Sequence, residues 1–210
     1  MKFPRLLLEV FLLLNNESKN TYLVGGCVRD YLIYKKPNDF DIVTDVPMDI
    51  IEKIFTDNDW KVNSTGKAFL VLNISKDGQT YEIANFRKDS KTSDGRRPEK
   101  CEIGDLETDS QRRDFTVNAV YYNPINDIFI DPVNGRNDVE NRILKFIGKP
   151  NERIREDYLR VFRFYRFLTK GFTADKKSLR ACRELFQEAY ENTTPERVRM
   201  ELEKITGGTE

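Results

Sequence analysis

The chain has 210 residues, 35 of them Lys or Arg and 35 Asp or Glu, and hydrophobic residues at 39 % leave enough apolar matter for a core. That excludes a disordered tail or a minimal disulfide scaffold. Zero net charge excludes a uniformly basic nucleic-acid coat, though not a local basic groove, and the absence of histidine excludes His triads, His-ligated zinc and imidazole bases.

Lys2 and Arg5 lead into an apolar run, Leu6 to Leu14, that mimics a signal peptide. Glu9 interrupts it, polar Asn15-Asn16-Glu17-Ser18 follow where small cleavage residues belong, and it is shorter than the roughly 20 apolar residues that span a bilayer. The pattern predicts a buried N-terminal helix and no membrane segment. Thr21 to Val24 reads as a strand entering Gly25-Gly26, followed by a helix over 27–34. After the turn Lys36-Pro37-Asn38, Asp39 to Val43 reads as a strand and 47–57 as a helix. Ala68 to Ile74 and Gln79 to Phe86 flank Asp77-Gly78, a strong hairpin signal. A helix is expected over 111–121, with Phe129-Ile130 and Leu144 to Ile147 as edge or closing strands. From Pro150 on no strand pattern remains. Ile154, Tyr158, Val161, Tyr165 and Leu168 share one helical face that stops at Gly171; a second helix fits 175–190, and Thr194-Pro195 opens a third. The fold class is α+β, with a mixed domain over 1–148 and an all-α domain over 149–210. Cys27, Cys101 and Cys182 are odd in number and far apart, with no CxxC, which fits unpaired thiols in a reduced, cytoplasmic compartment.

Asp39-Phe40-Asp41 places two carboxylates at i and i+2, on one face if the chain is extended. Acids so placed repel unless a cation sits between them. Mg²⁺ takes such hard oxygens and shares them with substrate phosphates, and a pair of such ions activates a hydroxyl and stabilises a leaving oxygen. The pattern alone more commonly marks two exposed acids on a turn. Gly25-Gly26 ahead of a helix lets a phosphate approach the backbone, with Arg29 in the first turn; it also fits a plain turn. Glu82, in Tyr81-Glu82-Ile83, is either a third carboxylate toward the metals or a solvent-facing strand residue. Arg112-Arg113-Asp114-Phe115-Thr116-Val117-Asn118 combines groups that can hold a triphosphate and ribose hydroxyls, or forms a solvated helix face. Asp157 and Arg160, at i and i+3 beside the apolar stripe, also read as an intrahelical ion pair.

In order along the chain, Leu23-Val24-Gly25-Gly26-Cys27-Val28-Arg29-Asp30 with Asp39-Phe40-Asp41 resembles the first motif of the class II CCA-adding tRNA nucleotidyltransferase and bacterial poly(A) polymerase family. Arg112 to Ala119 resembles its second motif, Asp131 to Asp138 its third, Glu156-Asp157-Tyr158-Leu159-Arg160 with Arg163 and Arg166-Phe167 its fourth, and Pro195 to Leu202 its fifth. The resemblance implies a nucleotidyltransferase-fold head and a helical neck. It implies two divalent metals, Mg²⁺, on Asp39 and Asp41, with Glu82 as a candidate helper. Gly25, Gly26 and Arg29 would hold the triphosphate. Arg113, Asp114 and Asn118 would act around ribose and phosphates, Asp114 nearest the 2′-hydroxyl. Glu156, Asp157, Arg160 and Arg163 would meet the nucleotide from the neck. The implied reaction is attack of the tRNA 3′-hydroxyl on the α-phosphate of CTP or ATP, with loss of pyrophosphate.

The neck motif has its own chemical logic. Cytosine and adenine each present an exocyclic amine beside an unprotonated ring nitrogen, whereas uracil and guanine present a carbonyl beside a ring N–H. A carboxylate only accepts and a guanidinium only donates. Asp157 takes the amine proton and Arg160 donates to the ring nitrogen, so UTP and GTP leave both groups mispaired.

The chain departs from the family pattern at Tyr34 (usually glycine), Ala84-Asn85 (Thr-Thr) and Phe69-Leu70 (Phe-Gly); none of these removes a proposed catalytic group. Phe86 to Pro98 resembles the complete loop linked in the family to the switch to ATP, which points to full CCA rather than CC-only addition. The resemblance covers head and neck, without the body and tail that follow in the family, so weak and salt-sensitive tRNA binding is expected. The competing readings are a poly(A) polymerase, a truncated non-catalytic nucleotide- or RNA-binding module, and a small-molecule nucleotidyltransferase, which has no need of the Arg-rich neck helix.

Overall fold

Leu7, Val10, Phe11 and Leu14 recur at helical spacing, and all four are fully buried along α1 (Arg5–Glu17) in the computed structural model, which describes residues 3–89 and 101–206. The expectation for the loop of residues 86–98 falls largely outside the described residues. The chain continues through β1 (Thr21–Val24), α2 (Gly26–Leu32), β2 (Asp41–Thr44), α3 (Met48–Asp57), β3 (Lys61–Asn63), β4 (Val71–Lys76) and β5 (Gln79–Asn85). A small hairpin of β6 (Arg87–Asp89) and β7 (Cys101–Ile103) leads to α4 (Leu106–Arg112), β8 (Tyr121–Asn123), β9 (Ile128–Ile130), α5 (Gly135–Glu140) and β10 (Ile143–Leu144). The remainder is α6 (Pro150–Glu156), α7 (Leu159–Thr169), β11 (Thr173–Ala174), α8 (Lys176–Glu184), α9 (Phe186–Glu191) and α10 (Pro195–Glu203).

Seven strands form one mixed sheet in the order β3-β4-β5-β2-β1-β8-β9, antiparallel throughout except for β2 beside β5. Every residue of β1 is buried, because both faces of the sheet are covered. Leu23 and Ile42 turn to a core built with Leu7, Phe11, Ile51 and Phe55 of α1 and α3. Their neighbours Tyr22, Val24 and Val43 turn to the opposite face with Phe86 and Tyr121. Each large apolar side chain buried this way contributes about 2 kcal/mol.

A second core joins Phe115, Val139, Leu144 and Phe146 to Ile154, Val161, Phe164, Phe167, Cys182 and Leu185. Phe146 stacks on Phe164 with ring centroids 5.8 Å apart, and Phe115 lies 4.8 Å from Phe146. This packing holds α7 against the segment after α4.

Several elements differ from the sequence reading. The helix expected over 111–121 ends at Arg112, and Arg113 turns extended at φ −66°, ψ 159°. Asp114 accepts the Phe115 amide at 2.7 Å, a local bond that competes with helical pairing, and the aromatic Tyr121-Tyr122 join the sheet as β8. The start of α4 carries a capping box between Asp105 and Thr108. The single helix expected through Ile154 and Leu168 breaks at Asp157 (φ −153°), whose carboxylate accepts the Leu159 amide. The helix expected over 175–190 bends at Leu185, although the Leu185 and Ala189 amides keep their i−4 partners. Thr173-Ala174 pairs parallel with β10, a short strand in the stretch expected to be all-α. β2 begins at Asp41, leaving Asp39 in the approach to the strand, and β4 begins at Val71 after a 3-10 turn at Lys67–Phe69. α5 forms because the Asp131 carboxylate accepts the Gly135 and Arg136 amides at 2.7 and 2.9 Å.

Candidate active site

The site grows from the end of β1. Val24 pairs with Asp41 across the sheet, so the turn at Gly25 lies beside that carboxylate. Gly25 sits at φ +80°, a conformation that L-residues rarely adopt. A Cβ built there would lie 3.3 Å from Asp41 Oδ2 and 3.9 Å from Arg113 Nη1. Gly25, Gly26, Asp39 and Asp41 line a cavity of about 280 Å³. Burial, together with the charges of Asp39 and Glu82, pushes the Asp41 carboxyl up to about 6 against the opposing pull of Arg113. Glu82 is Asp41's in-register neighbour on β5, but it is exposed and off the cavity wall. Among the described residues no group of three or more acidic, Cys or His side chains is placed to hold a metal ion, and Asp39 and Asp41 share the cavity with Asp30 and Asp114.

The same cavity is lined by a chain of charge-assisted contacts. Arg29, largely buried, donates from Nη1 to Asn118 Oδ1 at 2.9 Å, and Asn118 Nδ2 donates to Asp114 Oδ1 at 2.9 Å. Arg163 reaches Asp114 Oδ2 with Nε at 2.8 Å and Nη2 at 2.6 Å. Burial raises the Asp114 carboxyl, but Arg163, Asn118 and the Phe115 amide outweigh it and hold the group at about 2. Behind them Glu201 of α10 is buried and takes Arg166 Nε at 2.6 Å. Arg29 and Arg166 both lie over the Phe167 ring, at 5.0 and 4.9 Å. Burial, with Arg166 and Arg29 nearby, lowers Lys170 to about 8.

The neck residues sit differently from expectation. Asp157 and Arg160 are not side-by-side on one helix, because the break falls at Asp157 itself. Asp157 receives Arg197 Nη2 at 3.1 and 3.2 Å. Arg160 donates to the Arg153 carbonyl at 2.8 Å, Glu156 Oε2 at 2.9 Å and the Arg112 carbonyl at 3.3 Å. Glu156 also pairs with Arg153. Of the residues singled out from sequence, Gly25, Gly26, Arg29, Asp39, Asp41, Arg113, Asp114, Asn118 and Arg163 meet at the cavity, while Glu82, Glu156, Asp157 and Arg160 lie off its wall. Asp30, Asn38, Arg166, Phe167 and Lys204 complete the wall and were not assigned from sequence. Arg166 and Phe167 continue the helical run of Arg160 and Arg163, a signal that could have found them. Lys204 carried none.

A sequence profile described as the poly A polymerase head domain matches residues 21–145. The chain belongs to that family. Among curated relatives, the CCA-adding enzyme of Staphylococcus epidermidis is 36 % identical over 197 residues, covering 93 % of this chain and 48 % of its own. The solved CCA-adding enzyme of Bacillus stearothermophilus in complex with CTP superposes with a TM-score of 0.84 at 31 % identity, covering 99 % of this chain and 50 % of that one. The Thermotoga maritima CCA-adding enzyme complexed with tRNA gives 0.80 at 26 %, covering 100 % and 49 %. The chain therefore spans about half the length of the relatives it matches. The head-domain family match accounts for the mixed sheet and for the cavity residues up to Asn118; Arg163 and the later wall residues lie beyond it. Among the described residues no helix is long and apolar enough to cross a membrane.

Proposed function

We propose that the chain carries the head and neck of a template-independent RNA nucleotidyltransferase that adds CCA to tRNA 3′ ends from CTP and ATP. The observation that carries this reading is the meeting of Asp39, Asp41, the Gly25-Gly26 turn and the guanidinium groups of Arg29, Arg113, Arg163 and Arg166 around one cavity. Acids, glycines and guanidinium groups around one cavity suit a triphosphate and the cations that accompany it. In this reading the head is residues 1–148 and the neck 149–210. The buried free thiols of Cys27 and Cys182 suit a reducing compartment, the cytoplasm.

Asp39 and Asp41 fit a divalent cation by their donor chemistry. Both offer hard oxygens to the same cavity, and the burial and neighbouring negative charge that raise the Asp41 carboxyl are what such a cation offsets. Mg²⁺ is the ion of this proposal, held by these two residues. When bound it lowers the pKa of the attacking 3′-hydroxyl and offsets charge on the reacting phosphate.

The other residues bind and orient. Gly25, having no side chain, leaves room for phosphate beside Asp41. Arg29 and Arg113 neutralise the triphosphate, and Arg163 braces Asp114 near the ribose. Asp157 and Arg160 read the base edge, exchanging their present partners Arg197 and Glu156 for the exocyclic amine and ring nitrogen. The exchange matches donor for donor and acceptor for acceptor, because the base supplies a donor to the carboxylate and an acceptor to the guanidinium.

The test is incorporation of labelled CTP and labelled ATP into a tRNA ending at its discriminator base, with Asp39→Ala as control. Two C residues followed by one A are expected. Repeated ATP incorporation without CTP would assign the chain to poly(A) synthesis instead, and incorporation that persists in Asp39→Ala would remove the metal assignment.

A further inference from the structure

Arg113 meets two carboxylates, one on each side. In front, its Nη1 faces the Gly25 turn, and its charge acts on Asp41. Behind, Asp109 of α4 has no exposed surface and holds it: Arg113 Nε and Nη2 each lie 2.9 Å from Asp109 Oδ2. The Tyr121 hydroxyl donates to the same oxygen at 2.7 Å, and its ring lies 5.6 Å from the Arg113 guanidinium carbon. Asp109 Oδ1 takes Arg112 Nε at 2.9 Å, Arg112 Nη2 at 2.6 Å and the Arg87 amide at 3.3 Å. Neither Asp109 nor Tyr121 lies on the cavity wall.

A carboxylate so deeply buried carries a large desolvation cost, which close pairing with guanidinium groups offsets. Burial raises the Asp109 carboxyl, but Arg113 and Arg112 with the Tyr121 hydroxyl outweigh it and leave the group below its ordinary range. Without that anchor, Arg113 has Asp41 close by: Asp41 Oδ2 and Arg113 Nη1 lie 3.3 and 3.9 Å from the same Cβ position at Gly25. A guanidinium folded onto Asp41 would compete with the cation that Asp41 is proposed to hold.

We propose that Asp109, seconded by Tyr121, is a positioning residue that holds Arg113 so that its guanidinium faces incoming nucleotide phosphates rather than closing onto Asp41. This rests on reading the cavity as a nucleoside triphosphate site.

The experiment measures CTP affinity by calorimetry, and KM and kcat for CTP, in the 210-residue chain and in Asp109→Asn, Tyr121→Phe, Arg113→Ala and the two doubles with Arg113→Ala. Loss of one charge-assisted contact should weaken CTP about tenfold in Asp109→Asn and about threefold in Tyr121→Phe, in Kd and KM more than in kcat. In the Arg113→Ala background the same changes should add less than about twofold, since coupled residues are non-additive. Affinity unchanged in both single variants, or losses that add fully, overturns the proposal. Should Asp109→Asn not fold, Tyr121→Phe and its double decide by the same criteria. Unchanged affinity in Arg113→Ala overturns the proposal while leaving the nucleotide site standing, whereas a parent chain that binds no CTP overturns both.

Discussion

Arg163 of α7 grips the carboxylate of Asp114 with two nitrogens on one oxygen, at 2.8 and 2.6 Å. The other oxygen is filled by Asn118 and the Phe115 amide. Asp114 therefore works first as the joint between α7 and the head segment. Replacing Arg163 with Met should cost about 2 kcal/mol in denaturant unfolding, because a buried carboxylate loses its partner while the Arg end is partly solvated. The linkage has a definite sign. The folded carboxyl titrates near 2 and its unfolded counterpart near 3.8, so its stabilisation is complete above about 4 and is lost as pH falls toward 2. Asp114→Asn should flatten that acid limb of the stability curve.

Asp41 has the opposite sign. Its folded carboxyl titrates near 6, above its unfolded value of 3.8, so without cation the folded state is favoured at low pH and loses stability as pH rises from about 4 through 6. Divalent cation needs the ionised form. Its affinity should therefore rise with pH up to about 6 and then level, with proton release per site approaching about one below that pH and falling to about half at it. Thermal melts across this range, with EDTA and with Mg²⁺, check both limbs, and Asp41→Asn should abolish them.

Gly25→Ala tests the cradle. The positive-φ backbone at Gly25 (φ +80°, ψ −137°) costs an L-residue about 1–3 kcal/mol, and the added methyl would press on Asp41 Oδ2. Both stability and CTP affinity should fall, whereas Gly78→Ala, at φ +75° with open space around it, should cost stability alone.

Arg160→Ala should relax the choice among nucleotides more than it slows incorporation of CTP. The measurement is kcat/KM for each of the four triphosphates. Preference for CTP and ATP that survives intact would remove the base-reading role of Asp157 and Arg160.

Two departures from the family pattern sit on left-handed backbone. Tyr34 (φ 59°) and Leu70 (φ 58°) are the two positions at which the motif resemblance implies glycine. Tyr34 is 94 % exposed, so Tyr34→Gly should raise stability by about 0.5 kcal/mol, strain relief slightly exceeding glycine's entropy cost. Leu70 packs against the first core, and Leu70→Gly should lower stability despite the same relief. Paired thermal melts separate the cases.

Much of the head was legible because its signals are local. The spacing of Leu7, Val10, Phe11 and Leu14, the Asp77-Gly78 hairpin and the Gly25-Gly26 turn each state their own geometry. Asp114 and Asn118 were legible only through the motif, since the helical period through 111–121 hid the break at Arg113. Asp157 misled in the same way: the apolar stripe from Ile154 to Leu168 runs across the break, and periodicity records which face is buried rather than whether the backbone is continuous. Asp109 and Glu201 escaped because a buried acid has no sequence mark that separates it from a surface one. Their partners lie in space, on Arg113 and Tyr121 and on Arg166.

Phe115 and Phe146 share one interior with Phe164 and Phe167. Severing the polypeptide after Gly148 would leave those rings bare on the larger fragment and strip the smaller one of Phe115, Val117, Val139, Leu144 and Phe146. Neither piece should be recoverable in isolation, yet the pair co-expressed should reassociate, as complementing fragments do when a seam of aromatic rings runs through the cut.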